Sequence, residues 1–215
     1  MDEIPEARAI PDAALEGLVA AVEPSWELRE ATATDRGFCS VYRLVVADGD
    51  ATRSLYLKAS PDGEDWGIPT EARIQAVLDA HTTIPVPTLH GVVDEDDDYP
   101  TPAYLMNERP GEALAYEAVC RFEDDTLRRL ARETGEHLAE LHSVSAVDRF
   151  GHVRHDGPTL AGGPPGGDPA SLTVGEPRDD WRRYLREYLD EELERHGESQ
   201  FSALTPELRE WFGAG

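Results

Sequence analysis

The sequence predicts an α+β fold in which a strand-rich first half is followed by a mostly helical second half. Between residues 26 and 107, short runs either alternate apolar and polar residues or are rich in β-branched and aromatic ones, as strands are. One amphipathic helix interrupts these runs, and beyond Gly111 the helical spacing of apolar residues dominates. The expected order is a short helix, three strands, a helix, two strands and further helices.

The strands of the first half are expected to form a five-stranded antiparallel sheet. A short amphipathic helix is predicted before them, over residues 11–22. The strands are predicted at residues 26–29, 41–46, 54–59, 89–93 and 103–106. The turn at residues 48–50 joins the second and third strands into a hairpin. The main helix opens at Pro69, and Pro85 and Pro87 prevent it from continuing further.

In the second half, three helices are predicted, over residues 123–141, residues 179–195 and close to residues 205–207. A leucine stripe on the first of them is expected to be buried. Its members are Leu127, Leu130, Leu138 and Leu141. Residues 157–169 are rich in Gly and Pro, which predicts a mobile loop or linker.

The formal net charge of −24 excludes several classes of partner. Acidic residues are spread along the whole chain, so the surface is expected to repel nucleic acid and anionic membranes. We interpret the charge as adaptation to a salty cytoplasm; the alternative is an acidic ligand-binding face. The first residues lack the features of a signal peptide, and no apolar run could span a membrane, so a cytoplasmic location is predicted. The two cysteines lack metal-ligand spacing, and no metal site is predicted.

Lys58 is the one lysine in the sequence, since the other basic residues are all arginine. It lies on the third predicted strand, and Glu71 follows in the first turns of the main helix. A cation held by a carboxylate in this order is the arrangement that fixes a positive charge against nucleotide phosphates. The alternative is a solvated strand lysine and a glutamate that complements the helix dipole. The two side chains are therefore candidates for a phosphate-binding pair.

Two further segments flank this pair. Residues 35–40 join the first two strands, and Gly37 with small neighbours would let backbone N–H groups approach phosphate oxygens. An ordinary turn between strands is the alternative for this loop. Residues 104–108 end the last strand before Pro110 and Gly111 break it, which would offer backbone groups to a flat heterocycle.

Eight short sequence segments occur in a characteristic order. They are GFCSVYRL at 37–44, YLK at 56–58, EA at 71–72, VP at 86–87, YLMNE at 104–108, GE at 111–112, LAELH at 138–142 and FG at 150–151. Together they resemble the aminoglycoside phosphotransferase and choline kinase family, a branch of the protein-kinase-like fold. The resemblance covers about residues 10 to 212, and its specificity lies in the order and spacing of the segments.

The resemblance implies an N-terminal ATP-binding lobe over residues 1–108 and a partial helical lobe over residues 109–215. By analogy, Lys58 would hold the α- and β-phosphates of ATP, and Glu71 would orient Lys58. The other implied cofactor-binding residues are Gly37, Phe38 and Ser40 in the phosphate loop and Leu105, Met106 and Asn107 at the adenine. Mg²⁺ is expected to accompany ATP in this family, although its ligands are not found in this chain.

The family's catalytic motif, a His-x-Asp loop followed by an Asn and a metal-binding Asp, is not found in the sequence. His155-Asp156-Gly157 comes too early in the chain to replace it, and Asn107 is the one asparagine. We therefore assign no catalytic residue and expect a kinase fragment inactive by itself, either truncated or completed by a separate chain. The alternatives are a non-catalytic nucleotide-binding or protein-interaction module of the same fold and an unrelated acidic α+β protein.

Overall fold

The first half of the chain has its elements in the predicted order: one helix, three strands, a second helix and two strands. The computed structural model describes residues 9–34, 39–111, 116–144 and 147–195, together with residues 206, 207 and 209. The elements are α1 (Asp12–Val22), β1 (Trp26–Ala33), β2 (Ser40–Asp48), β3 (Ala51–Ala59), α2 (Ile68–His81), β4 (Leu89–Val93), β5 (Ala103–Asn107), α3 (Tyr116–Val119), α4 (Asp124–Ser143), β6 (Phe150–His155), β7 (Leu172–Arg178) and α5 (Trp181–Arg195).

The first five strands form one antiparallel sheet in the order β1-β2-β3-β5-β4, which confirms the predicted α+β fold. Strands β2 and β3 form the predicted hairpin, and Gly49 takes a positive φ of 60° in its turn. Strand β5 lies between β3 and β4, so Lys58 on β3 comes directly opposite Tyr104 on β5. The third and fifth strands thus pair directly, although they are far apart in the sequence.

Each face of this sheet is covered by one helix, because side chains alternate between the faces along every strand. Helix α1 covers one face with Leu15, Leu18 and Val19, which pack with the fully buried Leu57 and Leu105 of the sheet. Helix α2 lies on the other face, where its residues Ile68 and Ala72 pack with Val92 and Tyr104. Each fully buried large apolar side chain contributes about 1.5–3 kcal/mol, so the two layers hold both helices against the sheet.

The Gly/Pro-rich segment after β6 docks on the edge of the sheet, which corrects the prediction of a mobile loop. Gly162 N donates to Val92 O at 2.7 Å, and Val92 N donates to Gly163 O at 3.0 Å. Gly162 has a φ of +117°, and a Cβ atom there would lie 1.9 Å from the carbonyl oxygen of Ala21. Glycine here serves close backbone packing rather than flexibility, which composition alone does not distinguish.

The second half of the chain departs from the predictions in two further respects. Helix α4 occupies the predicted position but has no buried residue, and Leu127, Leu138 and Leu141 are exposed, so the prediction of a buried stripe was wrong. Strands β6 and β7 form a two-stranded sheet that was not predicted, because β6 alternates only between exposed and half-buried residues and β7 has no regular alternation. The predicted helix near residues 205–207 lies largely outside the described residues.

The described residues fall into two compact units. The first lies within residues 1–146 and 155–172, and the second within residues 147–154 and 173–215. In the second unit the ring of Phe150 packs on that of Trp181, with centroids 5.4 Å apart. The predicted division into lobes between residues 108 and 109 stays a prediction. Within the described part of the chain, no helix has the length and apolar character needed to cross a membrane.

Helix α4 is linked to the end of α2 through Glu140. Its carboxylate accepts hydrogen bonds from Thr83 N at 2.5 Å and from Thr83 Oγ1 at 2.6 Å. The hydroxyl of Thr83, and then its backbone N–H, hold the pKa of Glu140 below its ordinary value. A carboxyl group with a lowered pKa in the folded state stabilises only while it is ionised.

We therefore expect the docking of α4 to be complete above about pH 4.3, the ordinary pKa of glutamate, and to weaken as the pH falls through the lower pKa of the folded state. Hydrogen exchange of the α4 amides, corrected for intrinsic rates, measures this. Glu140→Gln should reduce protection of α4 at neutral pH and abolish the acid-dependent loss. Glu136→Gln, at an exposed position of the same helix, is the control. Equal behaviour of the two variants would contradict the role of Glu140.

Candidate functional site

Lys58 and Glu71 form an ion pair on the α2 face of the sheet. Lys58 Nζ donates to Glu71 Oε2, so the predicted contact between the strand lysine and the helix glutamate is present. Lys58 sits near the end of β3, and Glu71 lies in the first turn of α2. Their side chains are 22% and 46% exposed, which leaves the pair within reach of a ligand without placing the ammonium group in bulk water.

Tyr104 forms a hydrogen bond with the second oxygen of the Glu71 carboxylate. Its hydroxyl donates to Glu71 Oε1 at 2.9 Å, while Lys58 holds Oε2. The Tyr104 side chain is almost completely buried at 1% exposure, and burial, together with the negative charge of Glu71, raises the pKa of the phenol well above its ordinary value. The hydroxyl is therefore protonated, and a donor, at all working pH values. Sequence analysis missed this role, because only the pairing of β3 with β5 places Tyr104 beside Lys58.

Helix α2 is further held to its surroundings by a buried ion pair. The guanidinium of Arg73 binds the Asp94 carboxylate in a bidentate fashion, at 2.8 and 2.6 Å, with exposures of 3% and 8%. Arg73 also donates to the carbonyls of Pro69 and Pro158, and Asp94 accepts from Leu160 N at 2.7 Å. Arg73 lies two residues after Glu71, so this network fixes the part of α2 that carries the carboxylate.

The three residues predicted at the adenine have different surroundings. The side chain of Leu105 is buried in the core beneath α1, and that of Met106 packs in the cluster beneath α2. Asn107 is bonded to Thr88 twice, as its Oδ1 accepts from Thr88 N at 2.7 Å and its N–H donates to Thr88 O at 3.0 Å. Met106 is therefore the member of the three whose side chain lies on the same face as Lys58. The assignment of all three to adenine stays a prediction.

A second ion pair lies where β5 ends. Arg43 of β2 binds the Glu108 carboxylate through Nε and Nη2, each at 3.0 Å, and also donates to Ser54 Oγ at 3.1 Å. These hydrogen bonds from Arg43 hold the pKa of Glu108 below its ordinary range. Sequence analysis missed the pair, since Arg43 and Glu108 are 65 residues apart. The contact holds Glu108 in place, directly after the three residues that are predicted to line the adenine.

The residues predicted in the phosphate loop are described only in part. Gly37 and Phe38 lie outside the described residues. Ser40 begins β2 and is fully buried. It lies on the same face of the strand as Tyr42 and Leu44, and both of these belong to the core beneath α1. A contribution of Ser40 to ligand binding would therefore come from its backbone, and it stays a prediction.

The described residues do not fit a dedicated magnesium site. No group of three or more His, Cys, Asp or Glu side chains in the described ranges could hold a metal ion. Glu71, the carboxylate beside Lys58, already has both oxygens hydrogen-bonded. The arrangement can thus hold a negatively charged ligand next to Lys58, and we derive no step through a metal.

Comparison with known protein families identifies the chain. Residues 37–212 match the phosphotransferase enzyme family, in agreement with the resemblance to aminoglycoside phosphotransferases and choline kinases. No curated protein matches the chain. The family match begins before β2 in the sequence and includes Lys58, Glu71 and Tyr104. Since it spans most of the 215 residues, the chain belongs to the phosphotransferase enzyme family.

Proposed function

We propose that this protein binds ATP on the face of the sheet that carries Lys58, and that it serves phosphate transfer to a small hydroxylated acceptor. The observation that carries the proposal is the ion pair between Lys58 and Glu71, which presents a fixed ammonium group at a partly exposed position. Membership of the phosphotransferase enzyme family supports the reaction type. We place the protein in a salty cytoplasm, on the strength of its net charge of −24.

In this proposal Lys58 neutralises the α- and β-phosphates, and Glu71 keeps the ammonium group in place. At a separation of 4 Å and an effective dielectric constant of about 20, one such charge pair is worth about 4 kcal/mol before desolvation is subtracted. A single cation therefore supports weak binding. Gly37, Phe38 and Ser40 would add backbone contacts to the phosphates, and Leu105, Met106 and Asn107 would line the adenine.

These 215 residues are proposed not to transfer phosphate by themselves. Phosphoryl transfer depends on metal-assisted charge neutralisation and on a residue that orients the attacking hydroxyl. The sequence contains no His-x-Asp motif, and its one asparagine, Asn107, is bonded to Thr88. We propose that the catalytic groups are supplied from outside these 215 residues.

Purified protein is therefore expected to bind ATP measurably and to release ADP at the background rate. Calorimetry with ATP in buffer containing MgCl₂ and KCl tests binding, and a coupled ADP assay with a panel of aminoglycosides and amino alcohols tests turnover. Lys58→Ala serves as the control for contaminating kinases, since their activity would persist in it. Metal-dependent transfer by the wild type that disappears in Lys58→Ala would contradict the absence of turnover.

A non-catalytic nucleotide-binding or protein-interaction module is the second candidate. It is favoured by the exposed leucines of α4 (Leu127, Leu138 and Leu141), which a partner could cover. The split enzyme and the non-catalytic module predict different reading frames next to the gene. A neighbouring reading frame that encodes His-x-Asp and a following Asn would favour the split enzyme. ATP binding without any such frame would favour the module.

A further inference from the structure

We propose that Tyr104 is a positioning residue that holds the Glu71 carboxylate, and through it the Lys58 ammonium group, in the nucleotide-binding arrangement before the nucleotide arrives. The inference rests on the proposed function, and it adds a third member to the pair of Lys58 and Glu71.

The geometry gives Tyr104 and Lys58 complementary roles toward one carboxylate. The two residues lie directly opposite each other on β5 and β3, so both side chains project from the same face of the sheet toward α2. Tyr104 donates to Oε1 and Lys58 donates to Oε2. With both oxygens bonded from the sheet, the carboxylate cannot rotate without breaking one of the two contacts.

Of the two hydrogen bonds to Glu71, the one from Tyr104 is the more costly to break, because the Tyr104 hydroxyl is buried. The Glu71 side chain is 46% exposed, so its carboxylate could turn to water at little cost. The Tyr104 side chain is 1% exposed, and its hydroxyl would then be left buried without its acceptor. The cost of an unpaired buried hydroxyl lowers the population of the state in which Glu71 has turned away by a factor of roughly 10 to 100. The tyrosine thus biases Glu71 toward the position in which it meets Lys58.

Among the described residues, other side-chain contacts of α2 involve Arg73 and Gln75 rather than the Glu71 carboxylate. Arg73 fixes the helix backbone through Asp94, and Gln75 Nε2 donates to Pro87 O at 2.7 Å. These contacts hold the helix against the sheet, but they do not set the orientation of the Glu71 side chain. Pre-ordering that side chain removes an entropy cost that nucleotide binding would otherwise bear.

Tyr104→Phe tests the inference, because it removes one oxygen atom and keeps the ring in its apolar cluster. We expect its dissociation constant for ATP, measured by calorimetry, to rise roughly three- to tenfold. Tyr42→Phe is the matched control. It also removes a buried tyrosine hydroxyl of the same sheet, which accepts a hydrogen bond from Ile10 N at 2.8 Å on the opposite face. This control should lower the melting temperature without changing the affinity for ATP.

A double-mutant cycle separates positioning from packing. In a Glu71→Ala background the hydroxyl has no carboxylate to hold, so adding Tyr104→Phe should leave the affinity unchanged. An equal loss in both backgrounds, or a Tyr104→Phe protein that does not fold, would assign the hydroxyl a structural role and overturn the inference. If wild type binds ATP and Lys58→Ala weakens binding while Tyr104→Phe does not, this inference alone fails. If the wild type binds no ATP, the proposed function fails, and this inference falls with it.

Discussion

Arg73→Ala is expected to lower the free energy of unfolding by about 3–5 kcal/mol, the range measured when one partner of a buried ion pair is removed. The side chains of Arg73 and Asp94 are 3% and 8% exposed, so the variant leaves a carboxylate buried without its cation. The carbonyls of Pro69 and Pro158 lose a donor as well. The loss is expected to reach both α2 and the segment that docks on β4, because the same guanidinium contacts both.

Denaturant unfolding of the purified protein measures this change, and Arg53→Ala is the control. Arg53 forms an ion pair with Asp48 at 2.6 Å, but its side chain is 51% exposed, so the control should cost no more than about 1 kcal/mol. Replacing both partners of the buried pair, with Arg73→Met and Asp94→Leu, should recover much of the stability. A loss in Arg73→Ala no larger than in Arg53→Ala would show that the buried pair does not anchor the helix.

Lys58→Ala is expected to weaken ATP binding by roughly 10- to 100-fold, since a charge-assisted contact contributes about 1.5–3 kcal/mol. Removal of the ammonium group also leaves Glu71 facing the phosphates as a like charge. The side chain of Lys58 is 22% exposed, and the core beneath α1 does not include it, so the fold should persist. Calorimetry at low and high KCl measures the difference in ATP affinity between wild type and the variant. This difference should be smaller at high KCl, because salt screens the charge interaction.

The matched control for this variant is again on β3. Arg53→Ala removes one positive charge from the same strand, five residues earlier, at an exposed position. It separates the loss of a specific contact from the change in net charge. Lys58→Arg should bind with intermediate affinity, because its planar guanidinium cannot reproduce the compact contact with Glu71. An affinity of Lys58→Ala for ATP equal to that of wild type would remove Lys58 from the site.

The sequence by itself determined the α+β fold, the β2–β3 hairpin and the order of Lys58 and Glu71. These features depend on alternation, helical spacing and turn residues, which act over short distances along the chain. The missing His-x-Asp motif was likewise visible from the residues alone. The resemblance to aminoglycoside phosphotransferases was also recognisable, from the order of short segments.

Only the tertiary structure decided which side chains meet around this pair. Tyr104 reaches Glu71 because β5 pairs with β3, and Arg73 meets Asp94 because α2 packs across β4. The same holds for Gly162, whose backbone approaches α1 closely enough to exclude a Cβ atom. Each contact joins residues that are far apart in sequence or depends on strand register. Local patterns carry no information about such pairings, because they follow from how whole elements bury their apolar faces together.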